Sequence, residues 1–138
     1  MTQVLLAEDN AADVYLIREA LREHRVDCDL RVAPDGQELL EVLTNEVSQL
    51  AQLRLIILDL NLPRHDGIEI LERLKHSRLQ HIPVVVLTSS DSQRDRDLAI
   101  ELGAKRFLRK PSELEQFLSL GAVFKELLAG ASAASESA

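Results

Sequence analysis

The sequence predicts a doubly wound α/β domain, a five-stranded parallel sheet between two layers of helices. Two observations carry this. Short apolar runs recur along the chain at Val4–Ala7, Leu30–Ala33, Leu55–Leu58, Val84–Leu87 and Ala104–Leu108, and helical periodicity fills the intervals between them. The first, third and fourth runs are also apolar without alternation, as strands covered on both faces must be. Strands alternating with helices of about three turns lead to this architecture.

The elements follow in order. After the first run, Asp13 to His24 places Val14, Ile17 and Leu21 on one helical stripe with Leu16 and Ala20 beside it. Pro34-Asp35-Gly36 is a turn entering the second helix, and Pro63 with Asp66-Gly67 brackets the loop before the third. In that third helix, Gly67 to Ser77, Ile70, Leu71 and Leu74 face inward while Glu69, Glu72, Arg73 and Lys75 face out. Asp91 to Leu102 is the weak helix: charge crowds its first half, and only Leu98, Ile100 and Leu102 are large and apolar. It is expected to be loosely held, with Gly103 as its C-terminal stop. Ser112 with Glu115 reads as a capping box opening the last helix. There Leu114, Leu118, Gly121 and Leu128 form a stripe flanked by Phe117, Leu120, Phe124 and Leu127. A stripe that wide suits either a deeply tucked helix or a partner-facing one. The domain is expected over residues 1–128, and the small residues of 129–138 (AGASAASESA) read as a disordered tail.

Composition narrows the function. Sixteen basic against 23 acidic residues give a net charge of −7, which argues against nucleic-acid binding. No apolar run approaches the roughly 18 residues of a membrane span, and the N-terminus lacks a signal-peptide plan, so a cytoplasmic protein is expected. Cys28, the single cysteine, reads as a small apolar filler, and the four histidines, scattered without metal-ligand spacing, as surface residues.

The chemistry gathers at strand ends. Glu8 and Asp9 follow the first strand, Asp59 ends the third, Thr88 and Ser89 end the fourth and Lys110 ends the fifth. Ligands of open α/β sheets bind outside the carboxyl ends of the strands. If the strand order is 2-1-3-4-5, Glu8, Asp9 and Asp59 converge, and three carboxylates in one crevice need cations beside them. Lys110 supplies one charge, and a hard divalent ion, expected to be Mg²⁺, the rest. With Asp59 as nucleophile, such a pocket suffices for phosphoryl transfer, which needs mainly positioning and charge neutralisation.

The stretches VLLAEDNAAD, LIILDLNLPRHDG, PVVVLTSS and FLRKPS resemble those of response-regulator receiver domains, from about Val4 to Leu128. The resemblance implies the flavodoxin-like receiver fold with strand order 2-1-3-4-5. It makes Asp59 the phosphoacceptor, places Glu8, Asp9, Asp59 and the Asn61 backbone carbonyl around Mg²⁺, and makes Lys110 the phosphate-binding lysine. Thr88 and Phe107 become the switch pair. Glu8 stands where many members carry Asp, and Phe107 where some carry Tyr. A cis peptide at Lys110-Pro111 is also implied. More narrowly, EDNAADVYLIREAL with LDLNLPRHDG and VVVLTSSD is similar to stand-alone receivers that partner bacterial phytochrome-type histidine kinases.

The function implied is a single-domain switch, not an enzyme. It accepts phosphate from a sensor histidine kinase and signals by protein contact or phosphorelay, with a homodimer through the last two helices and fifth strand. Leu16 and Ile17 on the first helix are the expected contact for the kinase's phosphodonor helix. The competing readings are a degenerate receiver acting as a scaffold, a Mg²⁺-dependent phosphatase with an aspartyl nucleophile, and a flavodoxin-like cofactor binder. The phosphatase would want a general acid where Asn61 stands. The cofactor binder would want a phosphate-cradling loop where Glu8 and Asp9 repel phosphate.

Overall fold

The computed structural model describes residues 2–45 and 50–137, with the backbone alone at residue 45 and from 131 onward. The chain runs β1 (Gln3–Ala7), α1 (Ala11–Glu23), β2 (Asp29–Ala33), α2 (Gly36–Asn45), β3 (Leu53–Leu58), α3 (Gly67–Lys75), β4 (Val84–Thr88), α4 (Gln93–Glu101), β5 (Arg106–Arg109), α5 (Leu114–Leu118) and α6 (Leu120–Ser137). All strand pairs are parallel and the order is β2-β1-β3-β4-β5. β1 and β3 are therefore neighbours at the centre of the sheet, and the chain changes direction across it between them.

The unbroken apolar runs serve two cores. Successive side chains of a strand point to opposite faces. Leu5, Ala7, Ile56, Leu58, Val84 and Val86 join Leu39, Ile70 and Leu74 on the face carrying α2, α3 and α4. Val4, Leu6, Leu55, Ile57, Val85 and Leu87 join Ile17, Leu21, Phe117 and Phe124 on the face carrying α1, α5 and α6. Phe124 is wholly buried, as are Ile17 and Ile70. Cys28 is a half-buried member of the second cluster, as a small filler should be.

Helix starts follow local chemistry. The Asn10 side chain accepts from Ala12 N (2.9 Å) and Asp13 N (3.2 Å), the Asp66 side chain from Ile68 N, and Ser92 from Asp95 N. Asp35 accepts from Glu38 N at 2.8 Å at the start of α2. α4 buries Ala99 alone, and it ends at Gly103, whose φ of 103° is a conformation that favours glycine.

The chain beyond β5 departs from expectation in four ways. No cis peptide occurs among the described residues, so Lys110-Pro111 is trans, the form even an X–Pro bond prefers. Ser112 caps nothing: the first residue before α5 is Glu113, and no side chain bonds the helix start. The last helix is interrupted at Ser119, whose hydroxyl donates to Gln116 O at 2.6 Å and competes with the backbone ladder. The buried stripe is consequently Phe117, Leu120, Phe124 and Leu128, while Leu114 is 59% exposed. Beyond Leu128 the backbone continues as helix to Ser137. Alanine has the highest helix propensity, so the small-residue composition that suggested a tail also suits a helix. Ala138 lies outside the described residues.

Candidate functional site

The site forms where β1, β3, β4 and β5 end side by side. Glu8 continues β1, with its N–H donating to Ala33 O, and Asp59 continues β3, with its N–H donating to Ala7 O. These backbone bonds bring both carboxylates to the seam between the two central strands. One oxygen from each of Glu8, Asp9 and Asp59 lies within 4.8 Å of the others. Glu8 and Asp59 are buried and Asp9 is exposed, so the cluster is closed below and open to solvent above.

Lys110 stands over this cluster from the end of β5, where its N–H donates to Thr88 O at 2.8 Å. Its ammonium reaches Glu8 Oε1 at 2.7 Å, Asp13 Oδ2 at 2.8 Å and Asp59 Oδ2 at 2.8 Å. An ammonium has three protons, so all three are committed. Burial alone would push the Lys110 ammonium down. Its bonds to Asp13, Asp59 and Glu8 outweigh that and hold it above the usual lysine range.

Glu8 shows the opposite balance. Burial pushes its carboxyl from an ordinary 4.5 up to about 7. The Lys110 bond and charge and the Asn10 N–H, 3.2 Å from Glu8 Oε2, pull it down, and the Asp59 charge adds to the rise. The pocket is thus short of positive charge. Its donors are all hard carboxylate oxygens, three of them convergent, which suits a divalent ion of the Mg²⁺ or Mn²⁺ kind.

Thr88 is wholly buried at the end of β4. Its hydroxyl oxygen accepts from the Asn61 side-chain amide and from Ser90 N, both at 3.3 Å. Asn61 N in turn donates to Asp59 Oδ1 at 3.0 Å, so Asn61 bridges Asp59 and Thr88. Phe107 pairs in register with Val86, two residues before Thr88, and so shares its face of the sheet. The ring is buried, with the Arg96 guanidinium of α4 5.8 Å from its centroid.

Every residue expected at the site from the sequence is therefore found at these strand ends or next to them. Sequence reasoning missed Asp13, which joins Lys110 as closely as Asp59 does. It also missed the Asn61 side-chain amide, which donates to Thr88. The signal for Asp13 was the Asn10 cap: it starts α1 at Ala11 and puts Asp13 in the first turn, beside the strand ends. Ile17, expected to face a kinase, is wholly buried; Leu16 is half-buried and Tyr15 is 62% exposed. His65 is also more than a surface residue, half-buried with Nε2 3.0 Å from Gln37 Oε1.

A five-stranded 2-1-3-4-5 sheet with an acidic cluster and a lysine at its carboxyl edge defines a receiver-type domain. The chain belongs to the response regulator receiver domain family, whose model matches residues 4–120. It is 36% identical over 120 residues to the response regulator Rcp1 of Synechocystis, covering 85% of this chain and 82% of that protein. The Mn²⁺-bound structure of Rcp1 superposes with a TM-score of 0.82 at 34% identity, covering 91% and 92% of the two chains. The phosphorylated cyanobacterial phytochrome response regulator RcpA gives 0.84 at 34% identity over 93% and 94%. The bacteriophytochrome response regulator AtBRR gives 0.71 at 37% identity over 92% of each. The chain also matches transcriptional regulatory proteins, of which it spans under half the length.

Proposed function

We propose that this protein is a response regulator acting through its receiver domain. It accepts a phosphoryl group on Asp59 from a sensor histidine kinase of the phytochrome type, in a Mg²⁺-dependent reaction within the cytoplasm. The observation that carries the reading is the buried Asp59 carboxylate, held on one oxygen by Lys110 and on the other by Asn61 N. The names of RcpA, a cyanobacterial phytochrome response regulator, and AtBRR, a bacteriophytochrome response regulator, support the choice of partner.

In this reading Glu8, Asp9, Asp59 and the Asn61 carbonyl hold Mg²⁺, which when bound neutralises the charge that develops on the phosphoryl oxygens. Asn61 N and Lys110 hold the Asp59 carboxylate in place. An Asp59 oxygen attacks phosphorus in line while the bond to the donor nitrogen breaks, and Lys110 stays beside the new phosphoryl oxygens. Thr88 then leaves Asn61 for the phosphoryl group and vacates space that the Phe107 ring can enter. α4, buried through Ala99 alone, is the element that yields. The chain signals by protein contact or phosphorelay. A homodimer through α4, β5 and α5–α6 is part of the proposal, supported by the exposed Ile100 and Leu114. It has no activity beyond taking and losing this phosphate.

Intact-mass spectrometry tests the reading. Incubation with Mg²⁺ and acetyl phosphate, or with a phosphorylated histidine kinase, should give one phosphoryl adduct. The adduct should vanish without Mg²⁺ and in Asp59→Asn. Failure with both donors would leave the scaffold reading in its place.

A further inference from the structure

We infer that Asp13 is a positioning residue that keeps Lys110 at the site when a divalent ion takes over the Glu8 and Asp59 oxygens that Lys110 bonds. This rests on the reading of Glu8, Asp9 and Asp59 as the Mg²⁺ cluster. Of the three carboxylates bonded to the Lys110 ammonium, Glu8 and Asp59 belong to that cluster and Asp13 does not. Lys110 and a cation therefore compete for Glu8 and Asp59, and two positive charges side by side repel.

Without another partner, Lys110 would either hold those oxygens against the ion or swing away from the phosphoryl position. Asp13 offers a third way. It approaches from the first turn of α1, is held there by the Asn10 cap, and has its side chain only 19% exposed. Lys110 can give up Glu8 and Asp59 and still be tied at 2.8 Å to a fixed carboxylate on a different element. Asp13 touches neither the cluster nor the reacting atoms as described, so its effect must run through Lys110. That makes it separable from simple charge attraction for the ion, which would persist with Lys110 removed.

The test is a double-mutant cycle read by isothermal titration of Mg²⁺ into the full chain. Asp13→Asn should weaken Mg²⁺ binding about tenfold, the lower end of what outer partners of metal ligands contribute. In a Lys110→Ala background the same substitution should cost no more than about twofold. Lys110→Gln serves as the second background if the alanine variant fails to fold. Asp13→Glu, which keeps the carboxylate, should recover most of the affinity. Equal losses in both backgrounds would reduce Asp13 to a distant charge and overturn the inference, as would no loss in either. Phosphorylation of Asp59 is measured on the same samples. Normal Mg²⁺ isotherms without labelling would sink the phosphoacceptor reading and still judge Asp13.

Discussion

Glu8 should make this protein less stable as the pH rises from mildly acidic to mildly alkaline when no divalent ion is present. Its carboxyl is raised from 4.5 to about 7, chiefly by burial. The folded state therefore binds the Glu8 proton more tightly than the unfolded chain does. Stability from this proton is complete below about pH 4.5 and is lost as the pH rises through about 7. At ~1.36 kcal/mol per unit, the shift corresponds to about 3 kcal/mol. The side chain is 2% exposed, so solvent screening takes little from that figure. With a urea m-value of about 2 kcal/mol per molar, the midpoint should fall by roughly 1–1.5 M between about pH 5 and pH 8. The assay is urea unfolding in chelator across that range, with Glu8→Gln as the control that cannot titrate. The control subtracts every other titrating group and should be nearly flat by comparison. Mg²⁺ added at the alkaline end should restore the wild-type midpoint, because an ion that binds only the folded state stabilises it by mass action. Parallel pH profiles for the wild type and Glu8→Gln would refute the reasoning, since the burial cost would then be absent or offset by Lys110.

Two further outcomes test the packing around the site. A Cβ on Gly67 would lie 2.5 Å from Leu60 Cα and 3.0 Å from Asp59 O, atoms of backbone that cannot rotate away. Gly67→Ala should therefore cost about 1–3 kcal/mol, or roughly 4–12 °C in Tm, and slow the labelling of Asp59; labelling at the wild-type rate would mean that the loop gives way without moving the acceptor. Phe124→Ala, at a position with no exposure, should cost about 3–5 kcal/mol in chemical unfolding. A loss under about 1 kcal/mol would show that α6 does not complete the second core.

The strands were legible because both faces of the sheet are covered and each apolar run had to be continuous. That same continuity concealed which residue faces which core: in Val4-Leu5-Leu6-Ala7 every side chain is apolar, so parity appears only when α1 and α3 are seen on opposite sides. The site residues were legible because chemistry at strand ends is short-range in sequence and marked by polar residues after apolar ones. Asp13 was not, since a carboxylate in a first helical turn is ordinarily explained by the helix dipole alone. What places it at the site is its 2.8 Å bond to Lys110, a residue 97 positions along the chain. The last helix misled for a different reason. Its periodicity from Leu114 reads as one helix, whereas the structure breaks it at Ser119 and leaves Leu114 exposed. Ile17 misled likewise: a stripe with neighbours beside it does not say which edge is covered.

The sheet works as a partition wall. Thr88, Phe107 and Ala99 of α4 sit in one room, and α1 with Phe117 and Phe124 in the other; the acidic cluster and Lys110 stand in the doorway at its carboxyl edge. Substitutions that remodel the packing on the α1 side need not disturb the packing on the α4 side. Each room can drift in its packing while the doorway stays as it is, so the two faces of one small domain are free to change separately.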